Sequence, residues 1–310
     1  MAHLTIYKSH EWRTVAEDSK IQWTTHTFNP WRGCTKISEG CQHCYAETMS
    51  GRNPAVLGEW GPNGTRVVAA DAMWREPVKW NRLAQAAGVR VRVFCASLAD
   101  VFEGPETMPG DGHDLSEQPT SDLTPRLFNP SVAEARERLF ALIDATPCLD
   151  WLLLTKRPWN VMPLYGSWLH WNRVLDRKPI PTELPSNVWI GTSVENQRRA
   201  EERLPHLCRI PARVRFISAE PLLEAIDIRP WLGGAAGVNW VIVGGESGGS
   251  AREFNTDWAR VLRDQCGDAG VPFFFKQTGS NPIQLTVKGK GGDESDIPAD
   301  IRVREFPLAT

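Results

Sequence analysis

Six short apolar runs, separated by polar or helix-patterned stretches, constrain the fold of this chain more than any other feature. They fall at residues 91–97, 149–155, 187–193, 214–220, 240–244 and 271–276. Each is near-continuously apolar, as expected for strands buried on both faces of a parallel sheet. Amphipathic segments lie between them. Residues 131–145 open on Ser131 as a candidate N-cap and carry Val132, Ala135, Leu139, Leu142 and Ile143 on one face. Residues 195–207 are heavily charged, and residues 257–269 open on a capping Asp257 and stop at Gly270. Strand–helix alternation of this kind builds right-handed βαβ units. With one more strand leading into the cysteine segment described below, the pattern predicts an α/β protein with a partial or full TIM-type (β/α) barrel. A doubly wound open sheet is the alternative.

Three stretches break the rhythm. Residues 103–125 are rich in Pro, Gly, Asp, Ser and Thr and read as a long loop or disordered insert. Residues 159–185 place Trp159, Tyr165, Trp168, His170 and Trp171 among prolines and read as an ordered aromatic-rich excursion. From Ser280 the chain is polar and Gly-rich and reads as a loose extension. The expected organisation is an N-terminal extension at 1–20, a barrel at 21–279 and a C-terminal extension at 280–310, with no internal repeat.

Composition narrows the class. A hydrophobic fraction of 41% supports a sizeable core, and a net charge of −2 excludes the global basicity of a protein coated with nucleic acid. No run approaches the roughly 18 apolar residues of a membrane span, and the N-terminal residues lack the apolar stretch of a signal peptide. Seven cysteines, an odd number, then favour a reducing, cytoplasmic setting with thiols as ligands instead of disulfides.

Three of those thiols are close in sequence: Cys34, Cys41 and Cys44, spaced C-x6-C-x2-C, with Pro30, Gly33 and Gly40 supplying turns. Three protein thiolates are one short of the four that close a structural zinc or an ordinary [4Fe–4S] site. An open position is what a cluster needs in order to bind an external ligand. The competing reading is zinc, with His26 or, less well placed, His43 as the fourth ligand.

The segment IQWTTHTFNPWRGC from Ile21, with CYAE from Cys44, resembles the opening of the phage Gp37/Gp68 family. Later motifs resemble it too: LLLTKRP from Leu152, GTSVENQ from Gly191, RVRFISAEPLL from Arg213, VIVGGESG from Val241 and PFFFKQ from Pro272. The resemblance runs from about Lys20 to Gln277. It implies kinship with radical S-adenosylmethionine (SAM) enzymes, distantly the spore photoproduct lyase branch, and hence a partial TIM barrel with a three-cysteine [4Fe–4S] cluster and bound SAM. It also implies an electron donor such as flavodoxin or ferredoxin. The usual signature of such enzymes is C-x3-C-x2-C, so this chain carries three extra residues in the first interval.

In a barrel, strand C-termini aim at one cavity. Ser97, Asp100, Thr155, Lys156, Arg157, Ser193, Glu195, Glu220, Gly244, Gly245, Glu246, Lys276 and Gln277 fall there, and His43 and Tyr45 flank Cys44. SAM is a zwitterion with a ribose diol, which carboxylates, hydroxyls and lysine suit. The expected cofactor contacts are therefore His43, Tyr45, Ser97, Thr155, Lys156, Ser193, Glu195, Glu220, Gly244, Gly245 and Glu246. Cys95, two residues before a strand mouth, is a candidate hydrogen-atom donor to a substrate radical. A DNA, RNA or nucleotide substrate is expected, with the Trp-rich excursion stacking a base and Arg157, Arg198, Arg199 and Arg252 meeting phosphate. Two other classes stay open. One is a zinc-stabilised nucleic-acid-binding protein without catalysis. The other is a barrel glycoside hydrolase using the strand-end glutamates.

Overall fold

The computed structural model describes Ser19 and residues 21–104, 130–177, 179 and 181–308. Most of the insert at 103–125, and nearly all of the extension at 1–20, lies outside these residues. Seven parallel strands form one sheet whose spatial order is the chain order. They are β1 (His26–Thr27), β2 (Val91–Cys95), β3 (Leu149–Thr155), β4 (Val188–Ser193), β5 (Val214–Ala219), β6 (Trp240–Gly244) and β7 (Phe273–Gln277). Because every strand pairs with the next in sequence, all crossovers step the same way and the helices gather on one face. The doubly wound alternative, which reverses direction midway, is excluded.

The sheet is curled into a half-barrel. The aromatic rings of its concave face make this quantitative. Trp23 leads into β1 and Trp240 opens β6, five strand spacings away. In a flat sheet they would stand about 24 Å apart at about 4.8 Å per strand, yet their ring centroids are 6.2 Å apart. Phe94, Leu152, Trp189, Val214, Phe216, Ile242 and Phe274 complete this inner cluster, while alternate residues such as Val93, Cys95, Leu153 and Ile190 join the larger core beneath the helices.

Among the described residues the α-helices of two turns or more are α1 (Tyr45–Arg52), α2 (Asp71–Ala87), α3 (Pro130–Ala145), α4 (Ser167–Leu175), α5 (Gln197–Cys208) and α6 (Thr256–Ala269), besides several shorter helical turns. The cap of α6 is Asn255, whose side chain accepts from the Asp257 N–H, and not Asp257 itself; Gly270 ends the helix in the left-handed conformation. Helix α2 is invisible to a pattern search because Pro77 sits in its interior, though Trp74, Pro77, Trp80 and Ala84 still form one buried stripe. The aromatic-rich excursion is ordered and packs on the helix side, where Tyr165 stacks on Phe140 with centroids 4.2 Å apart.

The segment after Ser280 is not a loose extension. Val303 accepts from the Phe275 N–H at 2.8 Å and the Glu305 N–H donates to Phe273 at 2.9 Å, so the tail adds to the free edge of β7. It then reaches the opposite side of the half-barrel. The Gln22 amide donates to the Gly292 carbonyl at 3.0 Å, and the Arg92 guanidinium lies 3.9 Å from the Phe306 ring centre. Ile297, Ile301 and Phe306 supply the apolar contacts that the polar composition of the stretch conceals. Among the described residues no helix is long and apolar enough to cross a membrane.

Candidate active site

At the strand C-termini lies a cavity of about 700 Å³, a size suited to a cofactor together with part of a substrate. Trp23, Phe94 and Leu154 give it an apolar lining. Cys34, Cys41 and Cys44 all line it, together with Ser97, Thr155, Lys156, Ser193, Ser218 and Glu220 from the ends of β2 to β5.

The cysteine segment is fixed residue by residue. Cys34 follows a two-residue ribbon, Trp31–Arg32, paired antiparallel with Val67–Val68. Gly33 makes the turn with φ +107°, and a Cβ there would stand 2.5 Å from the Thr65 carbonyl oxygen, so glycine is required. Beyond Cys34, the Thr35 N–H donates to Glu103 at 2.9 Å, and the Thr35 carbonyl accepts from Arg157 at 3.0 Å. Glu103 is paired with Arg66 at 2.8 Å, and Arg157 with Asp100 at 3.1 Å. Cys44 is the residue at the N-cap of α1.

The three thiols differ electrostatically. Burial pushes the Cys34 thiol up, and the Glu103 and Asp100 carboxylates push it the same way. Burial would also raise Cys41, but the Lys156 ammonium and hydrogen bonds at Ile37 and Ser38 outweigh it and hold Cys41 below the ordinary thiol range. Cys44 is raised by burial, against backbone groups of α1 and Lys156. Lys156, which also donates to Ser193 at 3.1 Å, thus favours thiolate at two of the three positions.

Six of the expected cofactor contacts line the cavity: Tyr45, Ser97, Thr155, Lys156, Ser193 and Glu220. Tyr45 donates to the Ser97 carbonyl at 2.7 Å, Thr155 to Asp100 at 2.7 Å, and Glu220 is paired with Lys276 at 2.8 Å. Five others do not line it. Glu195 turns to Arg203 at 2.8 Å and to the Ser38 hydroxyl. Glu246 pairs with Arg252 at 2.6 Å and with His43 at 3.2 Å, so it and His43 satisfy each other. Gly244 and Gly245 make room for protein, since a Cβ on Gly244 would stand 2.7 Å from Glu220 and one on Gly245 2.2 Å from the Thr278 carbonyl oxygen.

Other expectations are also corrected. Cys95 is fully buried in the helix-side core, because side chains alternate along β2 and it is Phe94 that faces inward, so it is no hydrogen-atom donor to the cavity. None of the excursion's aromatic side chains lines the cavity; the aromatic lining is Trp23, Tyr45, Trp60 and Phe94. Arg157, on the cavity wall, is paired with Asp100, while Arg199 is paired with Glu39 and Arg252 with Glu246 outside it. The glycosidase reading fails because Glu195 and Glu246 are tied to arginines away from the cavity, leaving Glu220 without a second strand-end glutamate. Trp60, Ser218 and Lys290 are lining residues that sequence reasoning missed. Ser218 was findable, lying two residues before Glu220 on the same face of β5, whereas nothing in the sequence marks Lys290.

Three thiolates on one cavity meet the protein ligand count of an iron–sulfur cluster with one open position, and His26 does not complete a zinc shell. His26 stacks on Trp80, centroids 4.1 Å apart, while its neighbour Thr27 is the one that lines the cavity. The imidazole is therefore on the opposite face from the thiols and cannot close a zinc shell. Among the described residues, no three Cys, His, Asp or Glu side chains are placed to hold a single metal ion. Ligands of one zinc stand about 3.8 Å apart. A cuboidal cluster takes one thiolate per iron, and three thiols line one cavity here. Replacing His26 by alanine is accordingly expected to leave metal content unchanged, by elemental analysis, while lowering the melting temperature through loss of the Trp80 stack.

No curated protein matches this chain. Its fold is similar to that of a spore photoproduct lyase variant, at 12% identity and a TM-score of 0.42, over 84% of this chain and 58% of that one. A second variant of that enzyme, with bound AdoMet and dinucleoside spore photoproduct, is similar at 12% identity and a TM-score of 0.41, over 85% and 58%. The chain thus spans under two thirds of the length of the solved chains it matches. A family described as "Protein of unknown function (DUF5131)" matches residues 18–109 and 120–297, and the chain belongs to that family.

Proposed function

We propose that this protein is a radical SAM enzyme whose [4Fe–4S] cluster is held by Cys34, Cys41 and Cys44. The observation that carries this reading is the convergence of all three thiols on the mouth of a parallel half-barrel, facing polar strand ends. The motifs that resemble the phage Gp37/Gp68 family support it, because they supply the cysteine segment, Thr155 with Lys156, Ser193 and Glu220. Bound there, the cluster and SAM together supply one-electron cleavage of the sulfonium and a 5′-deoxyadenosyl radical for hydrogen abstraction.

The chain's own residues hold, orient and shield. Lys156 offers a cation to the SAM carboxylate, and Glu220 offers an acceptor to its amino group or ribose diol. Trp23, Phe94 and Leu154 keep water from the reacting end of the cavity. Lys36, Lys156, Arg157, Lys276 and Lys290 outnumber Asp100 and Glu220 on its wall, which suits an anionic substrate such as a nucleotide. Tyr45, half exposed at the rim, and Trp60 replace the excursion as surfaces on which a base stacks. Flavodoxin or ferredoxin serves as electron donor.

The test is anaerobic reconstitution with iron and sulfide, then dithionite and SAM. A brown protein releasing 5′-deoxyadenosine is expected, faster with an oligonucleotide or nucleotide present. A colourless protein that retains stoichiometric zinc would sink the reading.

A further inference from the structure

We infer that Glu195 is the positioning residue that seats the cysteine loop on the strand ends, acting through Ser38 and Gly40. Its meaning for catalysis rests on the radical SAM reading; the seating itself does not. Glu195 is 1% exposed, and its partner Arg203, in α5, is 0% exposed. A buried carboxylate is tolerated only when both oxygens are satisfied. One oxygen takes the Arg203 guanidinium at 2.8 Å, and that guanidinium is itself anchored on the Ser193 carbonyl at 2.8 Å. The other oxygen belongs wholly to the cysteine loop, accepting the Ser38 hydroxyl and the Gly40 N–H, the latter at 3.3 Å.

The contact is tight enough to dictate sequence on the loop side. A Cβ on Gly40 would stand 2.8 Å from that carboxylate oxygen and 2.9 Å from its carbon. Ser38 in turn sits 3.8 Å from the Cys41 sulfur, so a continuous line runs from Arg203 through Glu195 and Ser38 to a cluster thiol. Glu103 and Arg157 hold the loop at Thr35, and two further anchors reach it at Glu39: Arg199 to the carboxylate at 3.0 Å and Arg252 to the carbonyl at 3.0 Å. Both are more exposed and weakened by water and salt. From Ser38 to Gly40 the buried anchor therefore dominates. It also explains why Glu195, in a strand-end motif, faces away from the cavity.

The experiment uses hydrogen exchange on the reduced, metal-free chain. Ser38→Ala removes a donor and Gly40→Ala presses a Cβ against the carboxylate, each from the loop side and without removing either charge of the buried pair, whereas Glu195→Gln strands a buried arginine and risks unfolding. In the first two, amides at 38–44 are expected to exchange at least about tenfold faster, with the sheet amides unchanged and Ser38→Thr restoring protection. After reconstitution, loss of visible absorbance to an iron chelator should accelerate in the same variants and recover in Ser38→Thr. Unchanged exchange at 38–44, or acceleration spread over the whole sheet, would overturn the assignment. A wild-type chain that takes up no iron defeats the functional reading alone, because the exchange result still decides the seating.

Discussion

Replacing any one of Cys34, Cys41 and Cys44 by alanine is expected to lower 5′-deoxyadenosine formation at least about 10³-fold, some 4 kcal/mol in barrier terms. The argument is one of ligand count. A cluster that leaves one iron open for SAM has only three protein thiolates, so removing one exposes a second iron and loosens the whole assembly. Iron and sulfide content should fall together with the rate. Cys95→Ala is the informative control. Cys95 is buried beneath the helices and its thiol is raised by that burial, so the variant should keep its iron and its rate. Full iron content in any of the three loop variants would show that the missing thiol is no ligand. Loss of rate in Cys95→Ala with iron retained would reinstate a radical relay.

The strands were legible because burial on both faces leaves uninterrupted apolar runs. All six runs appear as β2 to β7, with ends shifted by two residues or fewer. Their cavity-facing set was only half legible. Periodicity of two says that Phe94 and Cys95 face opposite sides, and likewise His26 and Thr27, but it does not say which side is concave. That choice depends on the curl of the sheet, which rings distant in sequence produce. Glu195 and Glu246 misled for a related reason. Both follow strand ends, as Glu220 does, yet the arginines that claim them, Arg203 and Arg252, lie on the connections that follow. The tail after Ser280 was hidden differently. Its few apolar residues are dispersed among glycines and charges, and one of them, Phe306, meets partners far back in the chain, Trp240 and Phe274.

Of the 14 tryptophans, those of the excursion suggest ligand stacking, but another carries the architecture. Trp240 lies within 6.2 Å, centre to centre, of Trp23, Trp189 and Phe274, and closer still to Phe216 and Phe306. Its indole N–H donates to the Glu305 carbonyl at 2.9 Å. It thereby joins the leading segment before β1, the centre of the sheet and the returning tail. Trp240→Ala should cost about 3–5 kcal/mol through lost contacts and a cavity that rigid neighbours cannot fill. In a chain of this size that lowers the melting temperature by roughly 5–8 °C. Trp171, 62% exposed on α4, is the matched comparison, and Trp171→Ala should stay within about 0.5 kcal/mol of wild type in urea titrations. The loss at Trp240 should also be selective, loosening the tail and the residues around Trp23 before the strands between them. Equal sensitivity at the two positions would mean that the concave ring cluster is not what holds the two edges of the half-barrel together.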